Sequence, residues 1–511
     1  MSVVGALLAP YLRLVNRRLR RAAADPAGAQ RRVFESLLRR GKDTVFGREH
    51  GFARIRTPAE FARAVPIRDY VGRLEMFQRI LAGEPDVSWP GRVRYFAQTS
   101  GTTAGDKRIP VTDEMMRANR RAAVRIFAYY DRRDGLRAGE LFGGKLLFLG
   151  GSTALEHTES GALVGDLSGI ATQSILWPIS RHYEPGEELA LIDDWEEKVS
   201  RVAERTAGRD VRFITGMPSW VKVLFDRVCS LRGVAPSGGI SRVWPNLRLF
   251  VHGGVNFAPY REGFLRYFAG DHGLEFLEVY PASEGFVAIQ AERDRPGMEV
   301  MTDNGLFYEF VPLSEWGRED APRLGIGEVE TGIPYSVVLS TCAGLWAYDL
   351  GDVVRFTSVC PPRVVFAGRN RQFINAFGEN VIGEQVSAAV AGAADRTGAR
   401  VAEFTAGPVY PGDERRAGAH EYVIEFEKSP EPGLEAFAGA VDDEVTRLNH
   451  DYSVKRGGNL GMTRVEVTDV PRGTFHAWMK AHGKLGGQHK VPVCSNDREM
   501  IDELRRIAED I

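Results

Sequence analysis

Cysteine is scarce: four residues in 511, Cys229, Cys342, Cys360 and Cys494, with no CxxC pair and no zinc-type spacing. That excludes a disulfide framework and a zinc-ribbon site, and it predicts ordinary reduced thiols in a cytoplasmic protein. Net charge is equally small, since 66 Lys and Arg stand against 68 Asp and Glu for a formal −2. No basic field exists to gather nucleic acid, and the arginine clusters at 17–21 and 31–40 are expected to be solvated helix faces. Long apolar runs are missing too, none reaching the roughly 18 residues of a membrane span. The apolar start, Met1 to Leu12, lacks basic residues ahead of it and a small-x-small cleavage site, so a packed N-terminal helix is expected rather than a signal peptide. There is no internal repeat and no low-complexity segment. A cytoplasmic monomer or dimer without nucleic-acid or membrane partners is the reading these absences leave.

What is present is core material, 43% hydrophobic against 26% charged residues, over a length that suggests two to four units at roughly 150 residues each. One stretch organises the rest: Tyr95-Phe-Ala-Gln-Thr99-Ser100-Gly101-Thr102-Thr103-Ala104-Gly105-Asp106-Lys107. Glycines let backbone N–H groups turn to an anion, hydroxyls add rotatable donors, and Lys107 supplies a point charge, so the stretch reads as a phosphate loop for ATP. It is not a Walker A loop, because Asp106 precedes the lysine and Arg108 follows it. A solvated turn between strands is the competing reading of the stretch taken alone.

Residues 1 to about 90 read as a helical lead-in, with Thr57-Pro58-Ala-Glu60 carrying the cap, N1 proline and acidic third position of a helix start. Thr112 opens another helix running to Tyr130. From Lys145, strands at Lys145–Leu149, Val211–Thr215, Leu247–Val251 and Phe276–Tyr280 alternate with helices at Leu189–Arg205, Trp220–Val228 and Tyr260–Phe268. That alternation predicts a parallel sheet, which binds ligands beyond the carboxyl ends of its strands. Leu306–Val311, Glu328–Glu330, Ser336–Ser340, Asp352–Thr357 and Val364–Ala367 predict an antiparallel region. Past Ala367–Gln372 the chain reads as α+β, with strands at Val401–Gly407, Glu421–Glu427 and Arg464–Thr468 and a helix at Leu434–Leu448. The expected fold is α/β: a large N-terminal domain, 1–368, with mixed or parallel sheets, helices and an antiparallel β region; a hinge, 369–376; and a small mobile α+β C-terminal domain, 377–511.

In order, Thr99-Ser100-Gly101-Thr102-Thr103, Gly253-Gly254, Tyr280–Glu284, Tyr348-Asp349-Leu350-Gly351-Asp352, Gly368-Arg369 and Lys490 resemble the core motifs of the acyl-adenylate-forming superfamily, which includes acyl-CoA synthetases and firefly-type luciferases. Thr44–Phe52, Val65-Pro-Ile, Ser283-Glu284-Gly285, Tyr308-Glu-Phe310, Ala343-Gly-Leu345, Leu448-Asn449 and Gln488–Pro492 narrow it. Together with the phosphate loop they look like the auxin-responsive-promoter family of acyl-acid amido synthetases, over essentially the whole chain. The resemblance implies an ATP-dependent ligase that adenylates a small carboxylic acid and passes the acyl group to an amino acid. By it, Thr99, Ser100, Thr102 and Thr103 grip the triphosphate, the Gly253-Gly254 backbone lines the adenine, and Tyr280 stacks on it. Gly101, Val255 and Ser283 are counted with the nucleotide-binding positions. Glu284 holds Mg²⁺, Asp352 accepts the ribose hydroxyls, Arg369 reaches ribose or phosphate, and Lys490 meets the developing charge, with Lys484 as a competitor. Each has a plainer reading, as a buried aromatic, a turn acid or a solvated loop lysine.

Two departures stand out. Thr99 replaces the family's usual serine and keeps its hydroxyl, and Val493 replaces an arginine, which puts docking of the C-terminal loop in question. The acid pocket is expected between the phosphate loop and Trp177, with Met217, Trp220 and the 252–255 turn. Three alternatives are weighed. Thioester formation with coenzyme A stays open, and a non-catalytic binder on the same scaffold is disfavoured because the charged site residues are all present. A serine hydrolase built on His252 and Ser283 fails because Pro281 stands where the nucleophile elbow needs glycine.

Overall fold

The computed structural model describes residues 3–511 apart from 100–106, 134–135, 151–153, 173–179, 193, 254–256, 258–260, 271–272, 294, 371–372, 375–378, 380, 411–417, 450–451, 454–455, 457–461, 486–489 and 496. The lead-in is helical as its caps predict. Asp25 caps the Pro26–Gly41 helix, and Thr57 with Glu60 forms a reciprocal capping box on Pro58–Ala64. Thr112 accepts from the Met115 backbone N–H and starts the Asp113–Arg132 helix.

Strands β1 (Tyr95–Thr99) and β2 (Lys107–Val111) pair antiparallel with Thr99 opposite Lys107. After β3 (Lys145–Phe148), strands β4 (Leu155–His157) and β5 (Leu163–Gly165) complete a four-stranded sheet in the order β2-β1-β5-β4.

The main sheet continues with β6 (Tyr183–Glu184), β7 (Val211–Thr215), β8 (Leu249–Gly253), β9 (Glu275–Ala282), β10 (Gly285–Ile289) and β11 (Met298–Val300). It ends with β12 (Leu306–Pro312), β13 (Pro334–Thr341), β14 (Tyr348–Val359) and β15 (Pro362–Arg369). Its eleven strands run β12-β13-β14-β15-β11-β10-β9-β8-β7-β3-β6. The pairs from β6 to β9 are parallel and those from β9 to β12 antiparallel, so the two expected regions are halves of one sheet.

Two sequence expectations fail here. Glu328–Glu330 forms no strand, its neighbourhood contributing a single bridge at Thr331. Leu189–Arg205 is two helices, Glu187–Ala190 and Trp195–Thr206, the second restarted by an Asp194 cap.

The small lobe has a short pair, β16 (Phe373–Ile374) with β17 (Val381–Ile382), and a three-stranded sheet of β18 (Arg400–Val409), β19 (Ala419–Lys428) and β20 (Glu466–Val470) with β19 central. The Gly383–Thr397 and Leu434–Leu448 helices bury Val386, Val390, Phe437 and Val441 with Phe404, Tyr422 and Ile424 of the sheet in one core. The sequence reading missed the first of these helices, whose run of Ala, Gly and Ser gives little amphipathic pattern. No helix among the described residues is long and apolar enough to cross a membrane.

Candidate active site

Strands β7, β8 and β9 are parallel, so their carboxyl ends open on one side of the sheet, and there the chain places Gly253, Tyr280, Ser283 and Glu284. The antiparallel half supplies Asp352 of β14 and Arg369 of β15, which stand opposite each other in register. Three strands, β10, β11 and β15, separate β9 from β14 in sheet order, yet the Tyr280 hydroxyl donates to Asp352 Oδ2 at 2.5 Å. The Tyr280 ring also meets Phe366 of β15 edge-on at 5.9 Å. The sheet therefore curls until its two halves face one another across a crevice.

Arg369 Nε lies 3.3 Å from Asp352 Oδ1. Tyr280 and Asp352 are both buried. Burial, and then the Asp352 carboxylate, push the Tyr280 hydroxyl well above its ordinary range, so Tyr280 stays a neutral donor.

Glu284 sits in the two-residue turn between β9 and β10, buried at 8% exposure. Burial raises its pKa, and the Lys107 ammonium at the foot of the β1–β2 hairpin works against that rise. Lys107, the first residue of β2, is thereby within electrostatic reach of the β9–β10 turn. Gly285 closes that turn at φ 156°, where a Cβ would strike Leu306 at 2.5 Å, so the turn that aims Glu284 has room only for glycine. As a metal ligand Glu284 offers one carboxylate, and no group of three His, Cys, Asp or Glu among the described residues makes a protein-only cage. That donor set suits Mg²⁺, which takes one or two protein oxygens and fills its octahedron with water and phosphate.

Lys490 comes from the small lobe. The residue is largely exposed, yet the protein packed around its ammonium, and then the neighbouring Arg369 charge, lower it to about 8, while Asp352 opposes the shift. Its rival Lys484 is engaged elsewhere, its ammonium 4.8 Å from the Trp478 ring centre. The chain beyond Lys490 docks through backbone: Ala406 N donates to the Val493 carbonyl at 3.0 Å, Ser495 N to the Ala406 carbonyl at 3.0 Å, and Thr405 Oγ1 to the Pro492 carbonyl at 2.7 Å. Val493 itself packs against the small-lobe core, so docking there needs no guanidinium.

The structure thus brings Gly253, Tyr280, Ser283, Glu284, Asp352, Arg369 and Lys490 to one face of the molecule. Ser100, Gly101, Thr102, Thr103, Gly254 and Val255 lie outside the described residues, as does Trp177, and Thr99 is placed only as the last residue of β1. Gly253 has a packing reason of its own, since a Cβ there would lie 2.4 Å from the Val279 carbonyl oxygen. Trp220 belongs to the core, its ring 4.4 Å from that of Trp195. Ser283 lies in a hairpin and not in the strand–turn–helix of a nucleophile elbow, and burial holds His252 down to about 3, which removes the hydrolase alternative.

Sequence reasoning passed over Asn370, whose Nδ2 donates to Ser336 Oγ at 2.8 Å and to Asp349 Oδ1 at 2.9 Å, pinning the end of β15 to the large lobe. It also gave no role to Tyr348, buried with Glu284 and Asp349 raising its pKa. The Tyr-x-x-Gly-Asp turn was visible as a motif, but only the curl of the sheet shows that its tyrosine faces Glu284.

Models of one protein family cover most of the sequence: the GH3 family N-terminal domain matches residues 15–185 and 182–273, its central domain 299–369 and its C-terminal domain 384–499. The chain belongs to the GH3 family. Among GH3 relatives, it is 24% identical to the indole-3-acetic acid-amido synthetase GH3.3 of Arabidopsis thaliana, over 93% of this chain and 90% of that protein. It is 30% identical to the jasmonoyl–L-amino acid synthetase JAR6 of Nicotiana attenuata, over 50% of this chain and 46% of that one. The solved GH3.15 acyl acid amido synthetase superposes with a TM-score of 0.77 at 18% identity, covering 97% of this chain and 95% of the other. A 2-hydroxyisobutyryl-CoA ligase shares the fold more distantly, with a TM-score of 0.57 at 13% identity over 94% and 92%.

Proposed function

We propose that this GH3 chain is an acyl acid amido synthetase that uses ATP to activate a small carboxylic acid and joins it to an amino acid. The observation that carries the reading is the convergence of Tyr280, Glu284, Asp352, Arg369 and Lys490 from β9 and its following turn, β14, β15 and the small lobe onto one crevice, in a family whose named members are amido synthetases.

In the first half-reaction a carboxylate oxygen of the acid attacks the α-phosphorus of ATP, and the bond to pyrophosphate breaks. Tyr280 lies against the adenine and Asp352, already ordered by Tyr280 and Arg369, accepts the ribose hydroxyls. Thr99 to Thr103 and Lys107 hold the phosphates. Glu284 would hold Mg²⁺, which neutralises phosphate charge when bound. Lys490 and Arg369 place positive charge where negative charge develops, often the largest catalytic contribution. In the second half-reaction the amine nitrogen attacks the acyl carbon, the bond to AMP breaks, and the amine proton passes to solvent. An α-amino group with a pKa near ~8 is already partly neutral at neutral pH, so positioning carries most of the work.

Acid-dependent exchange of labelled pyrophosphate into ATP, run over a panel of carboxylic acids with Mg²⁺, tests the first half. Exchange with at least one small acid is expected. Absence of ATP binding by calorimetry with Mg²⁺ present would refute the reading.

A further inference from the structure

Lys490 reaches the crevice only because the small lobe sits where it does, and what holds the lobe there is visible far from the crevice. The Glu427 carboxylate, on the central strand β19, forms an ion pair with Lys222 of the Pro218–Leu231 helix and a second with Arg266 Nη2 at 3.0 Å. Its side chain is 5% exposed, with one large-lobe cation on each oxygen. A cleft of about 130 Å³ opens beside it, lined by Pro218, Lys222 and Phe264 of the large lobe and Ala394, Arg400 and Val401 of the small one. Apolar packing is therefore incomplete at this contact, and charge holds it.

Among the described residues, two other ion pairs cross between the lobes and do less to fix orientation. His476 and Glu196 stand 3.8 Å apart with both side chains at least half exposed, where an ion pair contributes little. Arg355 pairs with Glu384 immediately after the expected hinge, at a point that a rotation about the hinge scarcely displaces.

Glu427 is also rigidly connected to Lys490. Strand β19 pairs with β18, and β18 at Thr405 and Ala406 carries the backbone bonds that pin residues 492–495. Glu427 lies at the Arg400–Val401 end of that pairing, roughly 17 Å along the strands from Ala406 at about 3.3 Å per residue. A tether at one end of the sheet thus sets the angle at which the other end presents Lys490.

We infer that Glu427 is a positioning residue for adenylation: through Lys222 and Arg266 it latches the small lobe in the orientation that puts Lys490 beside Asp352 and Arg369. The inference rests on the proposed adenylation, but the latch can be read without any turnover.

The test pairs two measurements on the full chain. Spin labels are placed on the exposed Cys360 and on a Gly439→Cys substitution, a site with no atom within 4 Å of an added Cβ, and the distance distribution is recorded. Glu427→Gln should broaden that distribution towards longer distances, and the Lys222→Met, Arg266→Met double variant should broaden it in the same way. In parallel, Glu427→Gln should slow acid-dependent pyrophosphate exchange roughly tenfold, within the usual range of coupling between distant sites, while calorimetric ATP affinity stays unchanged. Combining it with the two cation variants should add little further loss, because both remove one latch. An unchanged distance distribution in Glu427→Gln overturns the latch whatever the exchange assay gives. A broadened distribution with unchanged exchange overturns the positioning role. If the parent protein shows no exchange at all, the functional reading fails instead, and the distance measurement still decides whether the latch exists.

Discussion

Among the described residues, Lys490 is the cation that the small lobe brings to the crevice, and its protonation can be read in kinetics. Surrounding protein and Arg369 lower it to about 8, so its charge is present below that pH and lost as pH rises through it, well before an ordinary lysine would titrate. Adenylation is expected to fall through a limb near pH 8 in the parent and to show no such limb in Lys490→Arg. Lys490→Ala should keep near-normal ATP binding while losing on the order of a hundredfold in adenylation rate, the scale of one transition-state donor. Unchanged adenylation in that variant would remove the role. Glu284 titrates in the opposite sense. Burial raises its carboxyl, so protonation sets in at a higher pH than for a free glutamate and competes with metal as pH falls. The Mg²⁺ concentration for half-maximal exchange should rise on acidification in the parent, and Glu284→Gln should be weak and flat across the same pH range. Sequence alone could name Lys490, Glu284 and Asp352 by motif, but it could not separate Lys490 from Lys484. The Trp478 ring, which engages Lys484 from six residues earlier in the chain, supports proposing Lys490.

Among the elements, the hairpin and turn that shape the crevice depend on close backbone approach. Gly253 ends β8 against β9, where an added methyl would meet the Val279 carbonyl oxygen at 2.4 Å. Gly253→Ala should destabilise the large lobe by about 1–3 kcal/mol, the usual cost of overpacking, in urea denaturation followed by intrinsic fluorescence. Loss of activity with no change in stability would instead assign that glycine to the ligand alone. Local signals were legible: the Thr57–Glu60 capping box, the Thr112 cap, and strands such as Val211–Thr215 all lie where residue pattern puts them. What pattern could not give was the joining of the parallel and antiparallel halves. The join is made at β9 and carried on through β10 to Met298–Val300, a three-residue strand that pairs the preceding β10 on one side and the sequence-distant β15 on the other and is too short to carry a periodicity. The break at 191–194 was likewise hidden, since apolar spacing continues across it and only the Asp194 cap marks the restart.

At the scale of the whole molecule, the large lobe holds the proposed nucleotide-binding groups on a curled sheet, and the small lobe brings Lys490 on a segment pinned to a three-stranded sheet. Asn370 is tied to Ser336 and Asp349, so we propose that the large lobe runs to residue 370 and the small lobe begins after it. Residue pattern put a boundary at the polar stretch Ala367–Gln372, but it did not show that β15 continues through Arg369, because those last residues are held by pairing to β14. Mixing the two halves of the reaction separates the central claim from its nearest rival. With an acid identified by pyrophosphate exchange, reactions offered the proteinogenic amino acids and coenzyme A side by side are analysed by mass spectrometry. The account predicts an acyl–amino acid amide formed in step with AMP and pyrophosphate; a coenzyme A thioester with no amide would contradict it.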